Sequence, residues 1–277
     1  MPKFSTSAQP EAEIYYQDLN PSGKGPVVLV HGWPLSHRMF EPQVLALTDA
    51  GYRVLAYDRR GFGSSAFPWG GYDYDTLASD LHDLLETADV RDAAVVGFSM
   101  GGGELARHFG RYGAGRIGKA VFMSSVAPFM LKTDDNPDGV PQEQFDAMKQ
   151  GLREDRPEFL AGFGKQFVNW GLVSHPISEE RLDYLHAIAL KADPHATIAC
   201  VTAFGTTDFR PDMAKITVPT MFVHGDADEI VPLEVSARQG HEMVEGSRLE
   251  VVEGGPHGLN LTHADETNKL LLDFLGS

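Results

Sequence analysis

The sequence predicts an α/β fold, a mostly parallel central sheet with helices on both faces and a small helical cap insertion, on three observations. Short β-branched apolar runs alternate with longer amphipathic stretches, a glycine-flanked serine sits where one such run gives way to a helix pattern, and a single long segment breaks the alternation. The strand candidates are residues 27–30, 53–57, 93–96, 119–123, 220–223 and 249–252. Between the second and third, residues 73–87 carry Leu77, Leu81, Leu84 and Leu85 among acidic residues, which puts one apolar stripe on a helix. Residues 101–111 read as a helix leaving the serine turn, and residues 264–275 close the chain with another amphipathic stretch. The interruption runs from 129 to 217, with Pro, Asp and Gly clustered at 134–141. The chain beyond that cluster reads as loops and short helices rich in large apolar residues: Phe159, Phe163, Phe167, Trp170, Leu182, Tyr184 and Phe204. Residues 1–128 and 218–277 are therefore expected to form the α/β core and 129–217 an inserted cap, most of whose apolar residues make its own small core.

Bulk properties narrow the classes of function. A chain of 277 residues that is 42% hydrophobic and 22% charged is long enough to bury a sizeable core and has ordinary globular composition. Its 23 basic and 39 acidic residues give a formal charge of −16, which repels phosphate backbones and anionic lipid surfaces, so neither nucleic acid nor a membrane is expected as partner. The lone Cys200 cannot close an internal disulfide and reads as a packing residue. With no basic, apolar leader at the start and no apolar run of membrane-spanning length, the expected location is cytoplasmic. An acidic surface with scattered apolar residues is compatible with a homo-oligomer.

The serine is the middle of Gly97-Phe98-Ser99-Met100-Gly101, a G-x-S-x-G pentapeptide that is a weak signal by itself in a chain with 29 glycines. Its context strengthens it, because it follows the strand candidate at 93–96 and opens a helix, the setting of a nucleophile elbow. Gly97, Gly101 and Gly102 supply the room that so sharp a turn needs, and the Met100 N–H at the helix start is aimed where an oxyanion would form.

A serine hydroxyl needs a base. His257, in Glu253-Gly-Gly-Pro-His-Gly258, lies just past the last strand candidate, whereas His241 falls in a helix pattern, His263 starts the terminal helix and His224 ends the preceding strand. The orienting carboxylate is expected after that preceding strand, where His224-Gly-Asp-Ala-Asp-Glu-Ile-Val-Pro232 offers Asp226 and Asp228. Asp228 is favoured, and Asp226 reads as a turn residue bonding its own backbone. The order Ser, Asp, His matches the hydrolase pattern. A second oxyanion donor is expected in His31-Gly32-Trp33-Pro34, after the first strand candidate, at the Trp33 N–H; the Trp33 indole either packs or walls the acyl pocket.

These segments, together with Tyr57-Asp-Arg-Arg-Gly-Phe-Gly-Ser-Ser65 and Thr207-Asp-Phe-Arg-Pro-Asp212, resemble the cofactor-free haloperoxidases, or perhydrolases, of the α/β-hydrolase fold and the related aryl esterases and γ-lactamases. The resemblance covers nearly the whole chain. It implies a triad of Ser99, Asp228 and His257, an oxyanion hole of the Trp33 and Met100 amides, and no metal, haem or other cofactor. It implies small esters or carboxylic acids as substrates, and an acyl-enzyme cleaved by water to an acid or by hydrogen peroxide to a peracid. It also puts Val126, Met130, Phe163, Phe167 and Ile230 at the acyl site. Pro34, next to the oxyanion residue as in relatives that favour peroxide, would restrict Trp33 and shift its carbonyl toward an incoming peroxide.

Other readings fit less well. Gly61-Phe-Gly-Ser-Ser-Ala66 matches a loose dinucleotide fingerprint, but Pro68, Gly70 and Gly71 come after it in place of a helix. Asp226-Ala-Asp228 lacks the glycine of a calcium loop, and no cysteine or histidine cluster suits zinc. The same triad would serve a γ-lactamase or amidase. A non-catalytic ligand receptor on this scaffold would usually have lost a triad member, and all three candidates are present.

Overall fold

A computed structural model describes residues 2–277. The expected apolar runs become parallel strands, with side chains largely covered on both faces in all but the last, an edge strand. They are β3 (Lys24–Val30), β4 (Tyr52–Tyr57), β5 (Ala93–Phe98), β6 (Ile117–Met123), β7 (Thr220–Gly225) and β8 (Arg248–Val252), each reaching one to three residues beyond the apolar run that marks it. Two further strands were not expected: β2 (Glu13–Leu19), which pairs antiparallel with the outer edge of β4, and β1 (Lys3–Ser5), which pairs antiparallel with β2. Among the described residues the sheet has eight strands in the order β1-β2-β4-β3-β5-β6-β7-β8.

The register aligns the carboxyl ends that matter. Val30 of β3 pairs with Gly97 of β5, Phe98 with Met123 of β6, Met123 with Val223 of β7, and Gly225 with Val252 of β8. The loops after β3, β5, β7 and β8 therefore leave from one edge of the sheet, where ligand crevices of open parallel sheets form.

The helices that flank the sheet are α1 (Glu41–Asp49), α2 (Tyr74–Thr87), α3 (Met100–Tyr112) and, after the insertion, α9 (Ala237–Met243), α10 (Leu259–Thr262) and α11 (Ala264–Gly276). Asp73 starts α2 where the sequence predicts, its side chain accepting the Thr76 N–H at 3.0 Å. The segment between β6 and β7 holds five helices and no named strand: α4 (Gln142–Glu154), α5 (Arg156–Phe167), α6 (Glu179–Ala189), α7 (Pro194–Thr206) and α8 (Arg210–Met213). Three of them begin at side-chain caps, Asp155, Ser178 and Asp193. No described helix is long and apolar enough to cross a membrane.

Candidate active site

Ser99 joins β5 to α3 at φ 52°, ψ −119°, a left-handed backbone uncommon for a residue with a side chain. The turn is held on both sides, by Ser99 N–H donating to the Met123 carbonyl at 2.8 Å and Ser99 O accepting from Gly102 N–H at 2.9 Å. The flanking glycines answer close contacts. A Cβ on Gly97 would stand 2.6 Å from the Gly101 carbonyl oxygen, and one on Gly101 would stand 2.3 Å from that of Val30.

His257, in the loop after β8, reaches the serine with Nε2 2.9 Å from Ser99 Oγ, while its Nδ1 lies 2.7 Å from Oδ2 of Asp228 in the turn after β7. A carboxylate accepts only, so Nδ1 carries the proton and Nε2 is free to take that of Ser99. All three side chains are largely buried. Asp228 Oδ1 accepts the N–H groups of Ile230 at 2.9 Å and Val231 at 2.8 Å. Burial works to raise the Asp228 pKa, but the charge and hydrogen bonds of His257 and His224 outweigh it and hold the carboxyl well below the usual carboxylate range. The local i→i+2 bond expected of Asp226 is thus made by Asp228; Asp226 is exposed and accepts the Gly254 N–H at 2.7 Å, tying the two loops together.

His257 is also held by neighbours from both the core and the insertion. Ser124 Oγ donates to the His257 carbonyl at 3.0 Å, Gly258 N–H donates to the Phe167 carbonyl at 2.7 Å, and the rings of Phe98 and Phe167 flank the imidazole at 5.3 and 5.4 Å.

The backbone N–H groups of Trp33, which lines the same cavity as Ser99, and of Met100, the residue after the serine, have no acceptor among the described residues. The Gly32–Trp33 peptide is positioned by His31, which is fully buried and whose pKa burial and the Arg59 charge bring down to about 3. Its Nε2 accepts the Arg59 N–H at 2.9 Å, so the proton sits on Nδ1, which donates to the Gly32 carbonyl at 2.9 Å. Arg59 in turn donates to the His31 carbonyl at 2.6 Å and pairs with Glu104 of α3, which also accepts from Tyr57 OH. This buried network links the loop after β3 to the helix after Ser99, and sequence reasoning missed it because its members are far apart in the chain.

Above Ser99 lies a cavity of about 370 Å³. Val126, Met130, Phe163 and Ile230 line it as expected, and the Trp33 indole walls it while donating Nε1–H to the Thr197 carbonyl at 3.1 Å. Phe145, Phe159 and Phe204 complete an aromatic lining from α4, α5 and α7, with exposed Gln144, Gln166 and Glu229 as the polar groups sequence reasoning did not single out. Phe167, expected as a wall, and Pro34, expected to bear on an incoming peroxide, lie outside this cavity. Phe167 sits one turn beyond Phe163 on α5, past the cavity and against His257, and it shares a separate small pocket with Pro34. The Trp33–Pro34 bond is cis. Tyr184 and Trp170 face away from the chemistry, Tyr184 OH donating to Glu41 at 2.6 Å and Trp170 stacking on His175.

Residues 25–264 match a family described as alpha/beta hydrolase fold. The chain belongs to the α/β-hydrolase family. This α/β-hydrolase is 49% identical over 265 residues, 95% of each chain, to a putative non-heme chloroperoxidase of Synechocystis sp.. It is 36% identical to a bifunctional esterase/perhydrolase of Acinetobacter calcoaceticus over 96% of each. The crystal structure of a bromoperoxidase from Bacillus anthracis covers 100% of both chains with a TM-score of 0.94 at 47% identity. Within the α/β-hydrolases the chain thus falls among the non-heme haloperoxidases and esterase/perhydrolases.

Proposed function

We propose that this α/β-hydrolase forms an acyl-enzyme on Ser99 from small carboxylic esters, with loss of the alcohol, or from short carboxylic acids, with loss of water, and passes the acyl group to water or to hydrogen peroxide. The observation that carries the reading is the chain Ser99 Oγ, His257 and Asp228 at an apolar cavity, with Trp33 and Met100 near by offering N–H groups without acceptors. Ser99 Oγ attacks the ester carbonyl as His257 Nε2 takes its proton, and the oxyanion is held by the Trp33 and Met100 amides. The C–O bond breaks and the alcohol leaves with that proton. Water or peroxide then gives a proton to His257 and attacks the acyl carbon, releasing an acid or a peracid and restoring Ser99. A peracid so formed oxidises halide in solution. Residues 129–217 act as a cap on a core of 1–128 and 218–277, and their aromatic residues favour compact apolar acyl or aryl groups. A cytoplasmic location agrees with the acidic composition and with a single, buried cysteine.

The test is hydrolysis of p-nitrophenyl acetate by wild type and Ser99→Ala, beside bromide-dependent halogenation with acetate and peroxide. Both activities should appear in the wild type and vanish in the folded variant; turnover that survives in Ser99→Ala would overturn the assignment.

A further inference from the structure

His224 is the penultimate residue of β7, fully buried, and the triad leaves it without a role. Its Nε2 lies 2.8 Å from the Val231 carbonyl oxygen and 3.2 Å from Oδ2 of Asp228. A carbonyl can only accept, so the proton is on Nε2 and is donated to Val231, with Asp228 Oδ2 close beside it, while Nδ1 meets no partner among the described residues. The contact closes a ring, since Val231 accepts from His224 through its carbonyl and donates its own N–H to Asp228 Oδ1. Three donors therefore converge on one carboxylate, and the His224 Nε2–H group stands 3.2 Å from the same Oδ2 that accepts from His257.

We propose that His224 is a positioning residue for ester hydrolysis, one that orients the Asp228 carboxylate and draws off part of the charge Asp228 presents to His257. The inference rests on Ser99, His257 and Asp228 being the catalytic set. A donor on the carboxylate stabilises its charged form and weakens its hold on a neighbouring imidazolium, so His224 lowers the proton affinity of His257 while fixing the oxygen that its Nδ1–H meets. The groups facing this carboxylate are few. The histidines come from β7 and from the loop after β8, and the rings that flank His257, Phe98 from β5 and Phe167 from α5, carry no charge. Asp226 and Glu229 in the same turn are exposed.

The test follows the His257 ring by NMR titration in wild type, His224→Leu and His224→Gln, with the acid limb of kcat/KM for p-nitrophenyl acetate measured in parallel. Leucine keeps the bulk and removes the donor, whereas the glutamine amide reaches the place of Nε2. The His257 midpoint should rise in the leucine variant by about half a pH unit or more, roughly threefold in proton affinity, and return toward wild type with glutamine. The kinetic acid limb should move with it. A midpoint unmoved by leucine, or moved equally by both substitutions, overturns the proposal. Should the leucine variant not fold, His224→Asn gives the same reading, because its amide stops at the place of ring Nδ1 and cannot reach Asp228. The titration needs no turnover, so absence of Ser99-dependent hydrolysis would overturn the proposed function while the titration still decides the role of His224.

Discussion

Replacing Arg59 with methionine strands a carboxylate in the interior. Arg59 and Glu104 are 1% and 0% exposed, and without the guanidinium the Glu104 carboxylate keeps only the Tyr57 hydroxyl, while the His31 carbonyl loses its 2.6 Å donor. Breaking a buried pair on one side costs about 3–5 kcal/mol because the remaining charge is uncompensated. For a 277-residue chain the unfolding entropy is about 0.6 kcal/mol/K, so Tm should fall by about 5–9 °C. Urea unfolding followed by circular dichroism, with calorimetry at pH 5 and pH 8, reads both quantities. The pH dependence has a definite sign. Burial already raises the Glu104 pKa, and loss of Arg59 raises it further; an acid raised in the folded state contributes stability that is present below its unfolded pKa and lost as pH rises through the folded one. The deficit of Arg59→Met should therefore be smaller at pH 5 than at pH 8. Removing the second charge as well, in Arg59→Met/Glu104→Leu, should recover at least half of the loss. A single-variant cost below about 1 kcal/mol, or a double variant no more stable than the single, would refute the reasoning.

Three further outcomes are expected. His108 of α3 is 1% exposed with both ring nitrogens unpartnered among the described residues, and burial beside His82 brings its pKa from 6.5 to about 4. The unfolded chain takes up a proton near pH 6.5 that the folded chain refuses until about pH 4, so stability falls as pH drops through that window. His108→Leu should stabilise the fold by about 1–2 kcal/mol, more at pH 5 than at pH 8, as read by chemical denaturation. Asp228→Asn should cut kcat for ester hydrolysis by about 10⁴, through loss of the tautomer that frees His257 Nε2, whereas Asp226→Asn should change it only a few-fold; steady-state kinetics reversing that order would move the carboxylate role. Pro34→Leu should lower halogenation relative to hydrolysis while leaving KM for the ester near wild type, because the Pro34 ring lies outside the cavity and acts through the Trp33 backbone.

The parts legible in the sequence were those where one physical demand dominates. Strands covered on both faces have to be apolar throughout, so β3 and β5 stand out, while β2, whose residues from Tyr16 to Leu19 are only half-buried, alternates too weakly to be noticed. β7 runs on through His224 and Gly225 because its pairing with β8 persists after the apolar run has ended. Ser99, Asp228 and His257 could be singled out as candidates, and the fold brings them within hydrogen-bond distance of one another, because each follows the carboxyl end of a strand in a fixed order. Phe163 and Phe167 share a face of α5, and sequence spacing gives that face but not the depth at which the cavity stops. His31, Arg59 and His224 stand inside segments that the sequence singles out, but their pairing with Glu104 and Asp228 depends on partners supplied by folding and is not written in those segments.

The bond from Gly258 N–H to the Phe167 carbonyl, together with Asn169 Nδ2 donating to the Ala227 carbonyl at 3.0 Å, stitches the helical insertion to the two loops that carry His257 and Asp228. Although 129–217 is one contiguous stretch of chain, it is not a detachable module. A chimera that exchanged it for the equivalent segment of a relative would bring in a new partner for the base as well as a new substrate wall. Recombination that aims to change selectivity alone has to carry residues 226–231 and 253–258 along with the graft, or keep the stretch around Phe167 to Asn169 native.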